Sequence, residues 1–249
     1  MLQKKDIILI SDINDNYSLK AINIILKSKY FNIVSIITST KNKYFKNKQL
    51  NNIKIYYDNY PHKNSKLIKS IRQKKILLCI CTGFDNLIRK SFINLFEEGI
   101  YNIHPAYLPN NKGSHSTFYT VLNQNEIGAS IHLMNEKLDS GPIVDRVKVK
   151  INSLDDAEKV FHKSRNLGLK LLKKNLSTIY YKNYKLIKNK KTIINLKKNI
   201  SKFNFIVSNK KYTGEYIWNL IKAVNFKNNG FFIKHKNKKI KIIPKIIHK

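Results

Sequence analysis

Short apolar runs alternate with helical stretches through the first hundred residues, and this rhythm limits the fold more than any other feature. "KDIILIS" (5–11), "FNIVSIITS" (31–39), "IKIYY" (53–57), "ILLCICTG" (76–83) and "GIYNIH" (99–104) have the length and apolar character of buried strands. Between them, "YSLKAINIILKSKY" (17–30) sets Leu19, Ile22, Ile25 and Leu26 at helical spacing. "NSKLIKSIRQKK" (64–75) and "DNLIRKSFINLF" (85–96) read as two further helices. Strands alternating with helices predict a mostly parallel sheet covered by helices on its faces.

Two more strands follow, "GASIHLM" (128–134) and the alternating "PIVDRVKVKI" (142–151). The longest helical stretch, 152–176, lines up Val160, Phe161, Ser164, Leu167, Leu171 and Leu172 in one stripe. Ser153 with Asp156 resembles a capping box at its start. From about residue 185 the texture turns polar and Lys-rich, with one helix, "GEYIWNLIKAV" (214–224), and two short strands, "GFFIKH" and "KIKIIP". The expectation is an α/β fold. A Rossmann-like, mostly parallel twisted sheet with flanking helices occupies 1–184, and a small C-terminal α+β appendage occupies 185–249. Trp218 and the Phe231–Phe232 pair are expected to pack the appendage onto the main domain.

Hydrophobic residues make up 42% of the 249, a globular composition. No apolar run approaches the ~20 residues that span a bilayer. "MLQKKDIILISD" lacks the shape of a signal peptide, so a cytoplasmic protein is expected. The formal charge of +33 points to an anionic partner, RNA or a phosphorylated small molecule. Yet only four of the 48 basic residues are Arg, and the lysines are spread almost everywhere. A nucleic-acid binder clusters its charge and favours Arg for bidentate contacts. An evenly Lys-rich surface is what an AT-rich coding sequence yields. Cys79 and Cys81, one residue apart in a strand, face one side of it and read as core filler, with no further Cys for a zinc or disulfide role.

Tyr101 to Asp145 breaks the monotony, holding three of five prolines, three of eight glycines and three of seven histidines. Asn102 and His104, two apart at a strand end, point the same way, and Pro105 stops the strand there. Ligands of open α/β sheets bind beyond the carboxyl ends of the strands. "PAYLPNNKG" forms a rigid loop, and a Gly-Pro turn holds Asp139 in a bend. An amide, an imidazole and a carboxylate at such junctions suit acyl transfer: the amide donates to a developing oxyanion, the imidazole shuttles a proton or also donates, and the carboxylate orients and balances charge. With no Ser or Cys in a tight elbow, direct attack by a bound substrate is favoured over a covalent enzyme intermediate. His132 faces either the cleft or the core, and His115 either an acceptor or solvent. His62, His162, His235 and His248 carry no assigned role. A zinc site from His104, His115 and His132 lacks close ligand spacing, and no metal is expected.

"NIHPAYLPNNKG" followed by "GASIHLMNEKLDSGPIV" is similar to the signature of the folate-dependent formyltransferase superfamily. That signature is Asn-x-His-Pro-Ser-x-Leu-Pro, a Gly four residues on, then a strand and an acidic loop ending Asp-x-Gly. "TGF" (82–84) stands where the family carries Ala-Gly-Phe, and the match runs over residues 76–148. The resemblance implies Asn102, His104 and Asp139 as the catalytic trio and 10-formyltetrahydrofolate as formyl donor and co-substrate. It implies that Asn102 and a protonated His104 stabilise the tetrahedral oxyanion while Asp139 assists proton transfer from the acceptor amine. Gly83, Phe84, Asn86, Leu87, Ile88, Asn135 and Leu138 would line the folate pocket, mostly through backbone. Tyr107, Pro109, Gly113, His115 and His132 would meet the acceptor.

Departures from the family bear on that acceptor. "SDINDNYS" after the first strand has no Gly and two added acids, unlike the phosphate loop of glycinamide ribonucleotide enzymes. Methionyl-tRNA enzymes run longer, and deformylases carry a preceding regulatory domain for which a strand at residue 5 leaves no room. Length and layout resemble the N-formyltransferases of nucleotide-linked amino sugars. The Lys-rich tail keeps tRNA open as acceptor, and a homodimer through the C-terminal part stays open too. Ala106, where Ser is usual, leaves specificity undecided. The contrasting class is a basic nucleic-acid-binding module with a relic site.

Overall fold

The computed structural model describes residues 2–39, 50, 52–84, 86–195, 200, 205–226 and 230–244; His248 falls outside them. Five parallel strands build most of the central sheet: β1 (Lys5–Ser11), β2 (Phe31–Thr38), β3 (Lys54–Tyr57), β4 (Leu78–Thr82) and β5 (Gly99–His104). After the two-residue β6 (Lys112–Gly113) come β7 (Ile127–Leu133), antiparallel to β5, and β8 (Ile143–Val149), antiparallel to β7. The order across the sheet is β3-β2-β1-β4-β5-β7-β8. Strand order reverses between β1 and β4, which opens a crevice beyond their carboxyl ends. The fold is α/β and Rossmann-like.

Strand alternation sorts the side chains onto two covered faces. On one face Ile7, Leu9, Leu78, Ile80, Tyr101 and Ile103 pack with α1 (Asn16–Leu26) and α5 (Ala157–Tyr181). On the other, Ile8, Ile10, Cys79, Cys81 and Ile100 pack with α2 (Ser65–Gln73) and with Phe92 and Ile93 of α3 (Lys90–Ile93). The two cysteines are buried filler on a shared face. Asn102 and His104 have the parity of Ile100 and so emerge at the end of the α2–α3 face.

A third core joins α4 (Ser116–Leu122) to the start of α5 and to α6 (Gly214–Val224) through Phe118, Val121, Val160, Leu220 and Val224. Beyond α5, β9 (Ile194–Asn195) pairs in parallel with β6. β10 (Phe205–Val207), β11 (Phe231–His235) and β12 (Lys238–Ile242) form a separate three-stranded sheet.

Several expectations need correction. The helix expected over 85–96 narrows to α3, and α5 begins at Ala157 rather than 152. Asp156 is itself the N-cap of α5, its Oδ1 accepting from the Lys159 N–H at 2.9 Å, so the Ser153 capping box does not form. Trp218 stays 43% exposed, whereas Phe231 is buried in the third core. Helix α4 was not anticipated: its N-cap position is His115 at φ 60°, with no capping side chain to announce it. No helix among the described residues is long and apolar enough to cross a membrane.

Candidate active site

The antiparallel register of β5 and β7 sets Asn102 directly opposite His132, and His104 opposite Ser130. The Asn102 amide donates to His132 Nε2 at 3.1 Å. His132 Nδ1 lies 3.1 Å from the Leu133 carbonyl. His132 Nε2 also lies 3.5 Å from Asp139 Oδ1, and His104 Nδ1 lies 3.8 Å from Asp139 Oδ2. One buried chain of contacts therefore runs Asn102–His132–Asp139–His104. His132 is a member of this cluster, not a bystander of the core.

Asp139 is 8% exposed and stands at φ 46°, a conformation that side-chain-bearing residues adopt at a cost. Its Oδ2 accepts from the Gly113 N–H at 2.8 Å. Burial works to raise its pKa, but His104, His132 and the Gly113 N–H outweigh it and hold the carboxyl well below the usual range. For His104, burial is the largest influence and pushes its pKa down, with Asp139 opposing. Its Nε2 meets the Asn111 carbonyl at 3.4 Å, so an acceptor faces each ring nitrogen at long range. A neutral imidazole between two acceptors always has one nitrogen ready to take a proton. Desolvation thus works against the His104 cation that the resemblance implies, while Asp139 works in its favour.

The loop after β5 is held from several sides. Ser130 Oγ accepts from the Leu108 N–H at 2.9 Å and donates to the Ala106 carbonyl at 2.8 Å, while Arg146 donates to the Leu108 carbonyl. The Asn111 amide donates to Thr120 Oγ1 of α4 at 2.7 Å, and Asn125 donates to Asn111 Oδ1 at 3.2 Å. Sequence reasoning missed Asn111, Thr120, Lys112 and Asn189, which hold the loops. Only the positive φ of Asn111, a tolerant residue type, could have hinted at one of them.

The remaining expected residues divide. Tyr107 leans on Gly128 and lies under the Arg146 and Lys148 cations at 4.5 and 5.2 Å, and Pro109 accepts from Thr192 Oγ1. Both sit on the loop but outside the Asn102–Asp139 chain. His115 is exposed at the mouth of α4. Gly83 closes β4 at φ 64°, where a Cβ would meet Ser18 Oγ at 2.7 Å. Phe84 is half-buried, Ile88 is core, Leu87 is exposed, and Asn86 donates to Asn59 at 3.1 Å. Asn135 is exposed and Leu138 half-buried on the facing loop. Lys90, the first residue of α3, and Glu136 of loop 135–139 lie 3.5 Å apart. Among the described residues, no group of three or more His, Cys, Asp or Glu side chains is arranged to hold a metal ion.

Residues 4–176 match the model of the family described as formyl transferase. By sequence, the methionyl-tRNA formyltransferase of Buchnera aphidicola is 32% identical over 126 residues, covering 50% of this chain and 39% of that protein. The matched segment thus spans well under half of that relative. Among solved structures, a 4-N formyltransferase from Francisella tularensis superposes with a TM-score of 0.80 at 21% identity, covering 98% of each chain. WlaRD, a sugar 3N-formyl transferase solved in the presence of dTDP and 5-N-formyl-THF, gives 0.70 at 25% identity, covering 93% of this chain and 85% of its own. With the family's model matching more than two thirds of its length, the chain belongs to the formyl transferase family.

Proposed function

We propose that this chain transfers a formyl group from 10-formyltetrahydrofolate to the primary amine of a nucleotide-linked amino sugar. The observation that carries the reading is the buried Asn102–His132–Asp139–His104 cluster at the carboxyl end of β5. The folate supplies the activated formyl group, and Gly83, Phe84, Asn86, Leu87 and Ile88 with Asn135 and Leu138 would hold it. Two substrates held together gain much of the rate through positioning alone.

The amine nitrogen attacks the formyl carbon, and the carbonyl electrons move onto oxygen. Asn102 gives only one of its two N–H groups to His132 among the described residues, and the other supports the oxyanion. The amine's proton passes to neutral His104, and Asp139 balances the imidazolium without itself taking the proton. The carbon–nitrogen bond to the folate then breaks, and His104 returns the proton to the departing nitrogen. His132 keeps Asn102 and Asp139 in register.

The sugar acceptor is supported by WlaRD, a sugar enzyme at 25% identity, while the glycine-free, acidic segment after β1 counts against a glycinamide ribonucleotide acceptor. A methionyl-tRNA acceptor is the second reading, favoured by the Buchnera relative and the +33 charge. The test is 10-formyltetrahydrofolate with a panel of amines, following tetrahydrofolate release. Release with nucleotide-linked amino sugars is expected. Release with methionyl-tRNA moves the acceptor, and release with no amine makes the chain a hydrolase. No release under any condition would sink formyl transfer.

A further inference from the structure

Residues 187–195, beyond α5, fold back over the loops that carry the cluster. Ile187 exchanges both backbone hydrogen bonds with Ile143, at 2.8 and 2.9 Å. The Lys190 carbonyl accepts from Lys112 Nζ, and Thr192 Oγ1 donates to the Pro109 carbonyl, each at 2.8 Å. The Ser114 N–H donates to the Asn195 carbonyl at 2.9 Å. The approach is so close that a Cβ on Gly113 would lie 2.1 Å from that oxygen.

At the centre of this strap, Asn189 Nδ2 donates to the carbonyls of Asp139 at 2.9 Å and of Gly141 at 2.8 Å. Those carbonyls flank Ser140, so one amide clamps the turn on which Asp139 stands at φ 46°. Reversing the amide would set Oδ1 against two carbonyl oxygens, so its donors must face the turn. Meanwhile Asn189 Oδ1 is buried and meets no donor among the described residues. A buried acceptor without a partner is a cost that calls for a reason. The reason here is what the donor end holds. Backbone at positive φ persists only where its surroundings over-determine it. Gly113 fixes the carboxylate of Asp139, and Asn189 fixes its backbone.

We propose that Asn189 is a positioning residue for formyl transfer, clamping the Asp139 turn so that one carboxylate meets both His104 and His132. The inference rests on the formyl-transfer reading. Asn189→Asp keeps the shape and removes both donors; with an acceptor that the wild type uses, kcat falls about 100-fold while KM for the folate stays within about twofold. Asn189→Ser keeps one donor and falls between the two. Thr192→Val cuts the strap's bond to Pro109, leaves the Asp139 turn alone and retains wild-type kcat. A second readout needs no substrate: in a 13C NMR titration the Asp139 carboxyl, low in the wild type, moves toward the ordinary ~3.9 in Asn189→Ser.

Should Asn189→Asp not fold, the Ser variant and the titration decide. Wild-type kcat in the Asn189 variants, or an Asp139 titration unmoved by them, overturns the clamp. A wild type inactive with every amine sinks formyl transfer instead, and the titration still tests the clamp.

Discussion

Asp139 and the Asp155–Asp156 pair are buried to nearly the same degree, 8, 3 and 4% exposed, yet their surroundings differ in kind. Both Asp155 oxygens receive Lys163 Nζ at 2.6 and 2.8 Å, and Oδ2 also takes the Asn152 N–H. Asp156 caps α5 and accepts from Asn225 at 3.1 Å, while Lys222 reaches the Ser153 carbonyl at 2.9 Å. Permanent donors close every side, in extended backbone at φ −92° for Asp156. Around the Asp139 carboxylate, one permanent donor is found among the described residues, the backbone is left-handed, and the other neighbours are two imidazoles at 3.5 and 3.8 Å. The first cluster joins α5 to α6. The second keeps groups that can still gain a proton, and that marks it as a place for chemistry.

The comparison breaks most readily at the largest effect. Asp139→Asn and His104→Ala are expected to lower kcat by about 100- to 10,000-fold while the protein still folds. Steady-state kinetics alongside a thermal melt would show it, and near-wild-type kcat would make Asp139 as structural as Asp155.

The next test uses pH. His104 has its folded pKa below the unfolded value of about 6.5, so the unfolded chain binds its proton first. Its contribution to stability is complete above pH ~6.5 and is lost as the pH falls below that value. The depressed Asp139 adds stability that is complete above ~3.9 and is lost at still lower pH. The acid limb of kcat/KM should therefore lie below pH ~6.5. A limb above that value would mean that His104 rests protonated.

Asp156→Ala should do the reverse of Asp139→Asn. Losing an N-cap costs about 1 kcal/mol, a fall in Tm of roughly 2–4 °C, with kcat of the folded protein unchanged. The smallest expected signal is none at all. Burial pushes Cys81 up to about 12 and Cys79 well above its ordinary value, so iodoacetamide at pH 8 should label both only after unfolding.

The strands of the central sheet could be read because a period of two and an apolar run are local properties. Helix α6 kept its expected bounds, Gly214–Val224, because an apolar stripe and the Thr213 cap bracket it. Helix α4 escaped notice because tertiary packing against α6, not propensity or a cap, stabilises its seven residues. Segment 85–96 misled because its apolar residues, Ile88, Phe92, Ile93 and Phe96, are spaced like a helix but reach the core mostly through turns. In the site, Asn102, His104 and Asp139 stood out through their Pro and Gly neighbours. His132 was expected to meet the acceptor and instead contacts Asn102 and Asp139, and Asn189 gave no signal.

By itself, then, the sequence determined which segments are the strands of the central sheet, that Asn102 and His104 share a face, and that a bend carries Asp139. Only the tertiary structure decided that His132 lies opposite Asn102, 30 residues away, and that Asn189 holds Asp139 from 50 residues away. It also buried His104, which pushes its pKa down. Periodicity and turn chemistry act between near neighbours along the chain, whereas register, closure and desolvation exist only once distant segments have met.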